Sequence, residues 1–485
     1  MALLLLAHAA LLAWGAYRHS PAIDAWAHLP SGLIHWQQGR FDLYRVNPPL
    51  VRLVAAVPLL LVGPHAQWEI PPASGAHRPE VDAAIALYFA CGPRVFGYFT
   101  VARLACIPFS LLGGWVCYRW AGALYGRAAG MLALVLWCFS PDILAHGQMI
   151  TPDLGATALG LAANYAYWHW LRAPTWSGAL VAGAGLGLAL SAKTTWIVLL
   201  VLWPLAWLVA RWTRRGASAF MLRGLLQLAA IPALSAYMVN LVYGFRGSLS
   251  SLGDLEFVSA ALRGPPPQAE AASAAGTQTV VDNRFRGTLL GRCRIPLPRD
   301  FILGIDRQKL DFESRFPSYL RGQWRDGGWW YYYLYAMAVK VPLGMWGMLV
   351  LAAVAIARGR RRGFSPDEAW LLLPALAVLV LVSSQTVYPH SLAYFNESVG
   401  GPRCGHLHLL GSSVDWAQDF LYLREWLAGH PEVAPRGVAL DCSLPSQLVG
   451  VDAPAPPTEP TAGWYAVSVD RMHDPSNQYA YFFEA

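Results

Sequence analysis

A carboxylate and two imidazoles lie close together near the start of the chain, directly after its first apolar segment. Asp24, His28 and His35 are spaced i, i+4 and i+11, so a helix presents all three on nearly one face. Gly32 leaves room beside them, and Gly39 closes the stretch. We predict a catalytic pocket at the membrane surface. The alternative is a solvated loop that happens to contain an acid and two histidines.

A second carboxylate, Asp153, follows an apolar run at the end of a predicted membrane span. Ionisable groups at membrane depth are costly and usually functional, so we expect Asp153 to act with Asp24; a helix cap is the alternative. Lys193 lies in a short turn between two apolar runs on the same side. Its position suggests a negatively charged partner, either a phosphate or Asp153, and a lysine that snorkels to the interface is the alternative.

The composition excludes an ordinary soluble protein. Hydrophobic residues make up 55% of the chain and charged residues only 13%, whereas charged residues are about a quarter of a soluble globular domain. The net charge of +7 comes from arginines in short loops, which predicts a membrane protein and no nucleic-acid partner. The 7 cysteines include no CxxC pair, so they predict neither a disulfide framework nor a metal knuckle.

Apolar runs predict nine membrane spans, at about residues 1–17, 98–118, 128–144, 154–171, 178–192, 194–210, 224–243, 330–357 and 369–388. The run over residues 51–62 is too short to span and carries Arg52, so we expect it to lie along the interface or to dip in and out of the membrane. The positive-inside rule orients the chain, because loops of one parity hold Arg119, Arg127, Arg172, Arg211, Arg214, Arg215, Arg223, Arg358, Arg360, Arg361 and Arg362. The loops at about 18–97 and 244–329 and the tail from 389 then share the outer side.

The second outer loop and the tail have distinct compositions. The loop contains a Pro-, Ala- and Gln-rich stretch, Gly264 to Thr279, that cannot order itself, with arginines around it. A basic loop beside the bilayer suits a phosphate-bearing lipid head group, although a solvated position is the alternative for any one arginine. The tail predicts a helix from Asp415 to Ala428, with Asp415 and Asp419 on one face, and strands at about 437–442 and 464–469.

Five motifs occur in register along the chain. They are Asp24…His28…Gly32…Gly39 with Asn47-Pro48-Pro49-Leu50, Ser140-Pro141…Ala145-His146 with Thr151…Asp153, Gly183…Gly185…Gly187…Lys193, Trp329-Trp330-Tyr331-Tyr332-Tyr333 with Lys340…Pro342-Leu343, and Tyr388-Pro389-His390…Asn396-Glu397 with Asp415-Trp416-Ala417-Gln418-Asp419. Together they resemble the bacterial membrane glycosyltransferases related to family 39. That family shares the C-type fold with protein O-mannosyltransferases and lipid A aminoarabinose transferases.

The resemblance implies an α-helical polytopic membrane protein with the C-type glycosyltransferase fold. It implies a transmembrane domain over residues 1–388, with periplasmic loops at about 18–97 and 244–329, and a small periplasmic α/β region over residues 389–485. The implied activity is an inverting glycosyltransferase in the inner (cytoplasmic) membrane. It moves a monosaccharide from a polyprenyl-phosphate carrier to a hydroxyl acceptor at the periplasmic face.

Site roles follow from this resemblance and from the chemistry of glycosyl transfer. We predict Asp24 as the base, assisted by Asp153 and His28, and a divalent ion, Mg²⁺ or Zn²⁺, held by the two acids is left open. Many relatives have Glu where this chain has Ala25. The residues expected to bind the donor phosphate are Lys193, Arg292 and Arg294. The residues expected to support the site are His146, His390, Asn396 and Asp415.

Two other functions are compatible with the sequence. A transporter or flippase of lipid-linked sugars also places charged groups at membrane depth. A non-catalytic relative is the third possibility, because fold and family membership do not by themselves establish activity.

Overall fold

The computed structural model describes residues 1–65, 68–74, 77–213, 221–264, 282–359, 366–440, 451 and 454–483. Several positions used above lie outside these residues. They are the Pro-, Ala- and Gln-rich stretch beyond Gly264, and Arg214, Arg215, Arg360, Arg361 and Arg362.

Helices make up most of the described chain and occur at every predicted span. The first half contains α1 (Ala2–Arg18), α2 (Ile23–Gln38), α3 (Leu50–Ala56), α4 (Leu59–Val62), α5 (Pro79–Cys91), α6 (Val95–Tyr125), α7 (Arg127–Cys138), α8 (Pro141–Gly147), α9 (Pro152–Arg172), α10 (Trp176–Ala192), α11 (Leu199–Thr213) and α12 (Met221–Val242). The second half contains α13 (Ala260–Arg263), α14 (Arg299–Glu313), α15 (Tyr332–Lys340), α16 (Leu343–Gly359), α17 (Pro366–Gln385), α18 (Phe420–Gly429) and α19 (Val469–Met472).

Fewer helices than predicted are long and apolar enough to cross a membrane alone. Within the described residues these are Pro79–Tyr125, Thr194–Trp212 and Leu222–Val242, which makes 3, or up to 5 if two bent helix pairs each form one span. The bent pairs are α7 with α8, at 56°, and α15 with α16, at 104°. The chain is therefore a multi-pass membrane protein in which several of the predicted spans are short or bent.

Helix α2 carries the chemistry-bearing residues of the first loop. Its backbone ends where Gly39 adopts a left-handed conformation, with φ 65°, and donates its N–H to the carbonyl oxygen of His35. Glycine is favoured at this position because a Cβ is disfavoured at positive φ. The sequence prediction that the stretch from Asp24 to His35 is helical and is closed by Gly39 is confirmed.

Helix α3 packs directly on α2. A Cβ on Gly32 would lie 2.4 Å from the carbonyl oxygen of Arg52, so only glycine allows this approach of the two backbones. Apolar residues of α2 and α3 join others from α5, α6, α8, α9 and α10 in one buried cluster. The first loop is thus packed into the helical core, which fixes the positions of the buried polar side chains His28, Ser31 and His35 on α2.

Short strands occur in the second loop and in the tail. Strands β1 (Pro317–Leu320) and β2 (Gln323–Asp326) are antiparallel, whereas β3 (Gly437–Ala439) and β4 (Tyr465–Val467) are parallel. Both tail strands lie where the sequence predicts them. The predicted tail helix, however, begins at Phe420 instead of Asp415, so Asp415 and Asp419 are not two positions on one helical face.

The late start of α18 has a local cause. The Asp415 carboxylate accepts the N–H of Ala417, the Gln418 side chain accepts the N–H of Trp416, and Ala417 adopts φ 65°. Short polar side chains that bond the neighbouring backbone compete with a helix, so the segment before Phe420 forms turns.

Candidate active site

Asp24 lies in the first turn of α2 and is half-buried. Burial raises the pKa of Asp24, and the nearby negative charge of Asp153 raises it further. A hydrogen bond with the side chain of Tyr44 acts in the opposite direction because it stabilises the carboxylate. Tyr44 is itself buried, and its backbone N–H donates to Glu80 at 3.2 Å. The result is a carboxylate with an increased affinity for a proton.

Asp153, in the first turn of α9, lies within electrostatic range of Asp24 and has its own cation. The Lys193 ammonium is 2.7 Å from the Asp153 carboxylate. Burial acts to raise the pKa of Asp153, but Lys193 and His146 outweigh it and the pKa is lowered. Of the two partners weighed for Lys193 from the sequence, Asp153 is therefore the one the structure provides. The two neighbouring acids are driven in opposite directions by their surroundings.

His28 is fully packed inside the first loop. Its ring lies 4.3 Å from the ring of Tyr44 in an edge-on arrangement, and its Nε2 has no hydrogen-bond partner. Burial and the charge of Arg52 lower the pKa of His28 well below its ordinary value. The negative charge of Asp153 acts to raise the pKa of His28, but Nε2 of His28 forms no hydrogen bond with Asp153. The imidazole is neutral and faces the site from behind Tyr44.

His35 belongs to a supporting network instead of the site. Its Nδ1 bonds the carbonyl oxygen of Arg40, and its Nε2 accepts a hydrogen bond of 2.8 Å from Nε of Arg52. Arg52 also donates to the carbonyl oxygen of Tyr44 at 3.2 Å. Arg52 thereby holds the segment that presents Tyr44 to Asp24. Both ring nitrogens of His35 are occupied, so this histidine has no free group for chemistry.

Arg292 and Arg294 are exposed residues of the second loop, and Arg294 pairs its backbone with Ser251 in the same loop. The described contacts instead join second-loop acids to first-loop arginines: Arg45 to Asp300 and Arg78 to Asp311, each at 2.7 Å. Arg78 is also close enough to Asp24 to lower its pKa.

Of the four residues assigned supporting roles, one lies beside Asp153 and three belong to the tail. His146 lies near Asp153 and has a buried Nδ1 without a hydrogen-bond partner. Asn396 is fully buried and donates to the carbonyl oxygens of Ala338 and Val341, which ties the tail to the bend between α15 and α16. Asp415 shapes a turn, and His390 donates to Asp419 at 2.8 Å.

The tail nevertheless reaches the edge of the acid pair. The N–H of Ile23 donates to the carbonyl oxygen of Trp416 at 3.0 Å, one residue before Asp24. Ser20 donates its backbone N–H to Gln418 and its hydroxyl to Ala417. The tail segment therefore covers the N-terminal end of α2.

A divalent ion between Asp24 and Asp153 does not fit these contacts. Lys193 already neutralises Asp153 at 2.7 Å, and the Asp24 carboxylate is already hydrogen-bonded to the side chain of Tyr44. A metal site needs anionic oxygens that face a common centre. The residues fit a carboxylate paired with an ammonium. The reaction proposed for this site includes no metal ion.

Sequence reasoning missed two residues of this site. Tyr44 contacts Asp24 from twenty residues further along the chain, and Arg52 reads as an interfacial charge in a short apolar run. The detectable signal was Arg52 itself, since an arginine within an apolar run requires buried partners.

The comparisons with known proteins bear on part of the first half of the chain. The family model for dolichyl-phosphate-mannose-protein mannosyltransferases matches residues 85–242, a range that contains Asp153 and Lys193 but not Asp24. No curated protein matches the chain. The match supports the family resemblance predicted from the sequence: over these residues the chain is similar to the membrane mannosyltransferases of that family.

Proposed function

We propose that the protein is an inverting glycosyltransferase that moves one monosaccharide from a polyprenyl-phosphate carrier to a hydroxyl acceptor at the periplasmic face of the membrane. The observation that carries this proposal is the pair of neighbouring acids with opposite shifts. The pKa of Asp24 is raised and the pKa of Asp153 is lowered. Two carboxyl groups whose surroundings separate their pKa values are suited to different roles in proton transfer.

Asp24 is the group suited to be the base. A general base works best when its pKa lies nearer the working pH than that of an ordinary carboxylate. In the reaction, the acceptor hydroxyl oxygen attacks the anomeric carbon and its proton passes to Asp24. The bond between the anomeric carbon and the phosphate oxygen breaks, and the lipid phosphate leaves with the bonding electrons. A single displacement of this kind inverts the anomeric configuration.

Lys193 is the group suited to the leaving phosphate. Its ammonium lies on Asp153 and its side chain is 32% exposed, so it remains accessible from the solvent side. A cation fixed before the reaction stabilises negative charge as it develops on the departing oxygen. In this assignment Asp153 holds Lys193 in position, and its charge also keeps the proton affinity of Asp24 high.

The experiment is single-turnover transfer from a synthetic polyprenyl-phosphate mannose with Asp24→Asn, in the purified full chain. We expect a loss of about 10²–10⁴-fold in rate, the usual contribution of a general base. Asp82→Asn is the matched control, because Asp82 is an exposed acid of the same loop that pairs with His77. It should retain the wild-type rate.

Other outcomes separate the remaining functions. An Asp24→Asn variant with unchanged turnover eliminates the assigned base. Movement of the carrier lipid across a vesicle bilayer by the wild type, without transfer to any hydroxyl, indicates a flippase. Absence of both activities in a folded wild type indicates a non-catalytic relative.

A further inference from the structure

Two histidines and an aspartate from distant parts of the chain meet where the tail touches the end of α1. The ligand atoms of His19, His390 and Asp419 all lie within 4.8 Å of one another. Asp419 Oδ1 is 2.8 Å from Nδ1 of His390 and 3.6 Å from Nε2 of His19. We propose that these three side chains form a zinc-binding site that fastens the tail to the first helix.

His19 is prepared to act as a metal ligand. It is 3% exposed, and its Nδ1–H donates to the carbonyl oxygen of Gly15 at 3.0 Å. This bond places the lone pair on Nε2, which faces Asp419 and has no hydrogen-bond partner. Ligating histidines in proteins typically donate the other ring N–H to a carbonyl or carboxylate in this way. A buried lone pair without a donor is otherwise costly.

Asp419 is oriented by a neighbouring amide. Its Oδ2 accepts a hydrogen bond of 2.8 Å from Gln418, which leaves Oδ1 facing both histidines. Gln418 is held in turn by the backbone of Trp416, whose N–H it accepts at 2.6 Å. An outer partner that fixes a ligating carboxylate is a regular feature of metal sites.

The spacing of the three groups fits zinc. Two ligand atoms that each lie about 2.0–2.2 Å from a tetrahedral zinc are about 3.3–3.6 Å apart. The separation of 3.6 Å lies at the upper end of this range, and the separation of 2.8 Å is about 0.5 Å below it. Two imidazoles with one carboxylate favour zinc over the all-oxygen sites of Mg²⁺ or Ca²⁺. The side chains of His390 and Asp419 are 41% and 37% exposed, so a water molecule has access as fourth ligand.

Two neighbouring arginines are already committed to other groups. Arg103 donates to the carbonyl oxygens of Ala16, His19 and Ser20, so its guanidinium is bonded to the backbone. Arg18 pairs with Glu425 at 2.8 Å. The site joins α1 to the tail segment that covers α2. Zinc binding at this site is independent of the proposed reaction.

Zinc binding to the purified full chain tests the proposal directly. The protein is treated with a chelator, titrated with ZnCl₂ by calorimetry, and analysed for metal by mass spectrometry. We expect one zinc per chain. Loss of a residue that only orients a metal ligand lowers metal affinity by about 10- to 100-fold. We expect the zinc affinity of His390→Gln and of Asp419→Asn to fall by more than this. His430→Gln is the matched control, because His430 is an exposed histidine at the end of α18 that bonds Trp426.

The partly exposed positions of His390 and Asp419 keep the test usable if the buried His19→Gln does not fold. The proposal is overturned if the wild type binds no zinc, or if His390→Gln and Asp419→Asn bind it as tightly as the His430→Gln control. A metal-dependent rise in melting temperature that both variants lose supports the fastening role. These measurements need no sugar donor, so they can fail or succeed separately from the transferase assignment.

Discussion

The first and second loops are both rich in charged residues, but they hold those residues differently. In the first loop Arg52 is 2% exposed, and its guanidinium contacts His35 and the backbone of the segment that carries Tyr44. In the second loop Arg292 and Arg294 are exposed. A buried charge must have partners, whereas an exposed one is solvated at little cost.

The ion pairs that join the two loops take their acids, Asp300 and Asp311, from the second loop and their arginines from the first. The number of arginines in a loop therefore says little about a phosphate site. The second loop also buries charge, since Asp306 is 1% exposed and accepts the backbone N–H groups of Val258 and Ser259. What distinguishes Arg52 from Arg292 and Arg294 is that it is buried and bonded to other groups of its own loop.

The largest effect predicted from this comparison is on Lys193. Lys193→Met removes the ammonium that holds Asp153 and that we assign to the leaving phosphate. We expect kcat/KM to fall by about 10²–10³-fold, the usual cost of losing one group that stabilises transition-state charge. Lys309→Met, which breaks an exposed pair with Glu313, is the control. Equal rates for the two variants would remove Lys193 from the mechanism.

The next effect is on stability. Arg52→Met leaves Nε2 of His35 without its donor and removes one of the hydrogen bonds to the carbonyl oxygen of Tyr44, which keeps the N–H of Asn47. We expect the free energy of unfolding to fall by about 1–3 kcal/mol, the cost of one buried group left unsatisfied. Chemical denaturation in detergent measures this, with the exposed Arg94→Met as control. A variant as stable as the control would show that the Arg52 network does not support the first loop.

Local patterns predicted the parts of the fold that depend on neighbouring residues. The helix from Asp24 to His35, its end at Gly39 and the tail strands near 437 and 465 follow from periodicity and turn residues. The start of the tail helix was wrong because side-chain bonds from Asp415 and Gln418 replaced helical ones. Helix propensity does not include such competition.

Most contacts between distant segments could not be predicted from the sequence. Asp153 was one of the two partners weighed for Lys193, but the choice between them depends on how α9 and α10 pack. His35 shares a helix face with His28, yet Arg52 occupies its ring nitrogen. The spacing of residues along one helix shows which side chains point the same way, not which partner each one meets.

A smaller effect, with a defined direction in pH, is expected for Tyr44. Its side chain stabilises the Asp24 carboxylate and lowers its pKa, so Tyr44→Phe should raise that pKa. Because Asp24 must be deprotonated to act as the base, the acidic limb of the pH–rate profile should move to higher pH. The rate near neutral pH should fall by about tenfold or less, the value of one hydrogen bond worth about 0.5–1.5 kcal/mol. Tyr88→Phe is the control, since Tyr88 contacts Phe89 in the same loop. A limb that stays in place or moves to lower pH would contradict the contact.

The smallest effect is expected where the sequence predicted a large one. Arg292 and Arg294 were candidates for the donor phosphate, yet both are exposed, and their described backbone contacts stay within the second loop. The double variant Arg292→Ala with Arg294→Ala should retain at least half of the wild-type kcat/KM, because exposed charges far from a site contribute little. Donor titrations at low and high salt measure it, since any long-range attraction of the phosphate is screened by salt. A loss above tenfold that persists at high salt would mean that the second loop closes on the donor during the reaction, and that exposure is then a poor guide to its role.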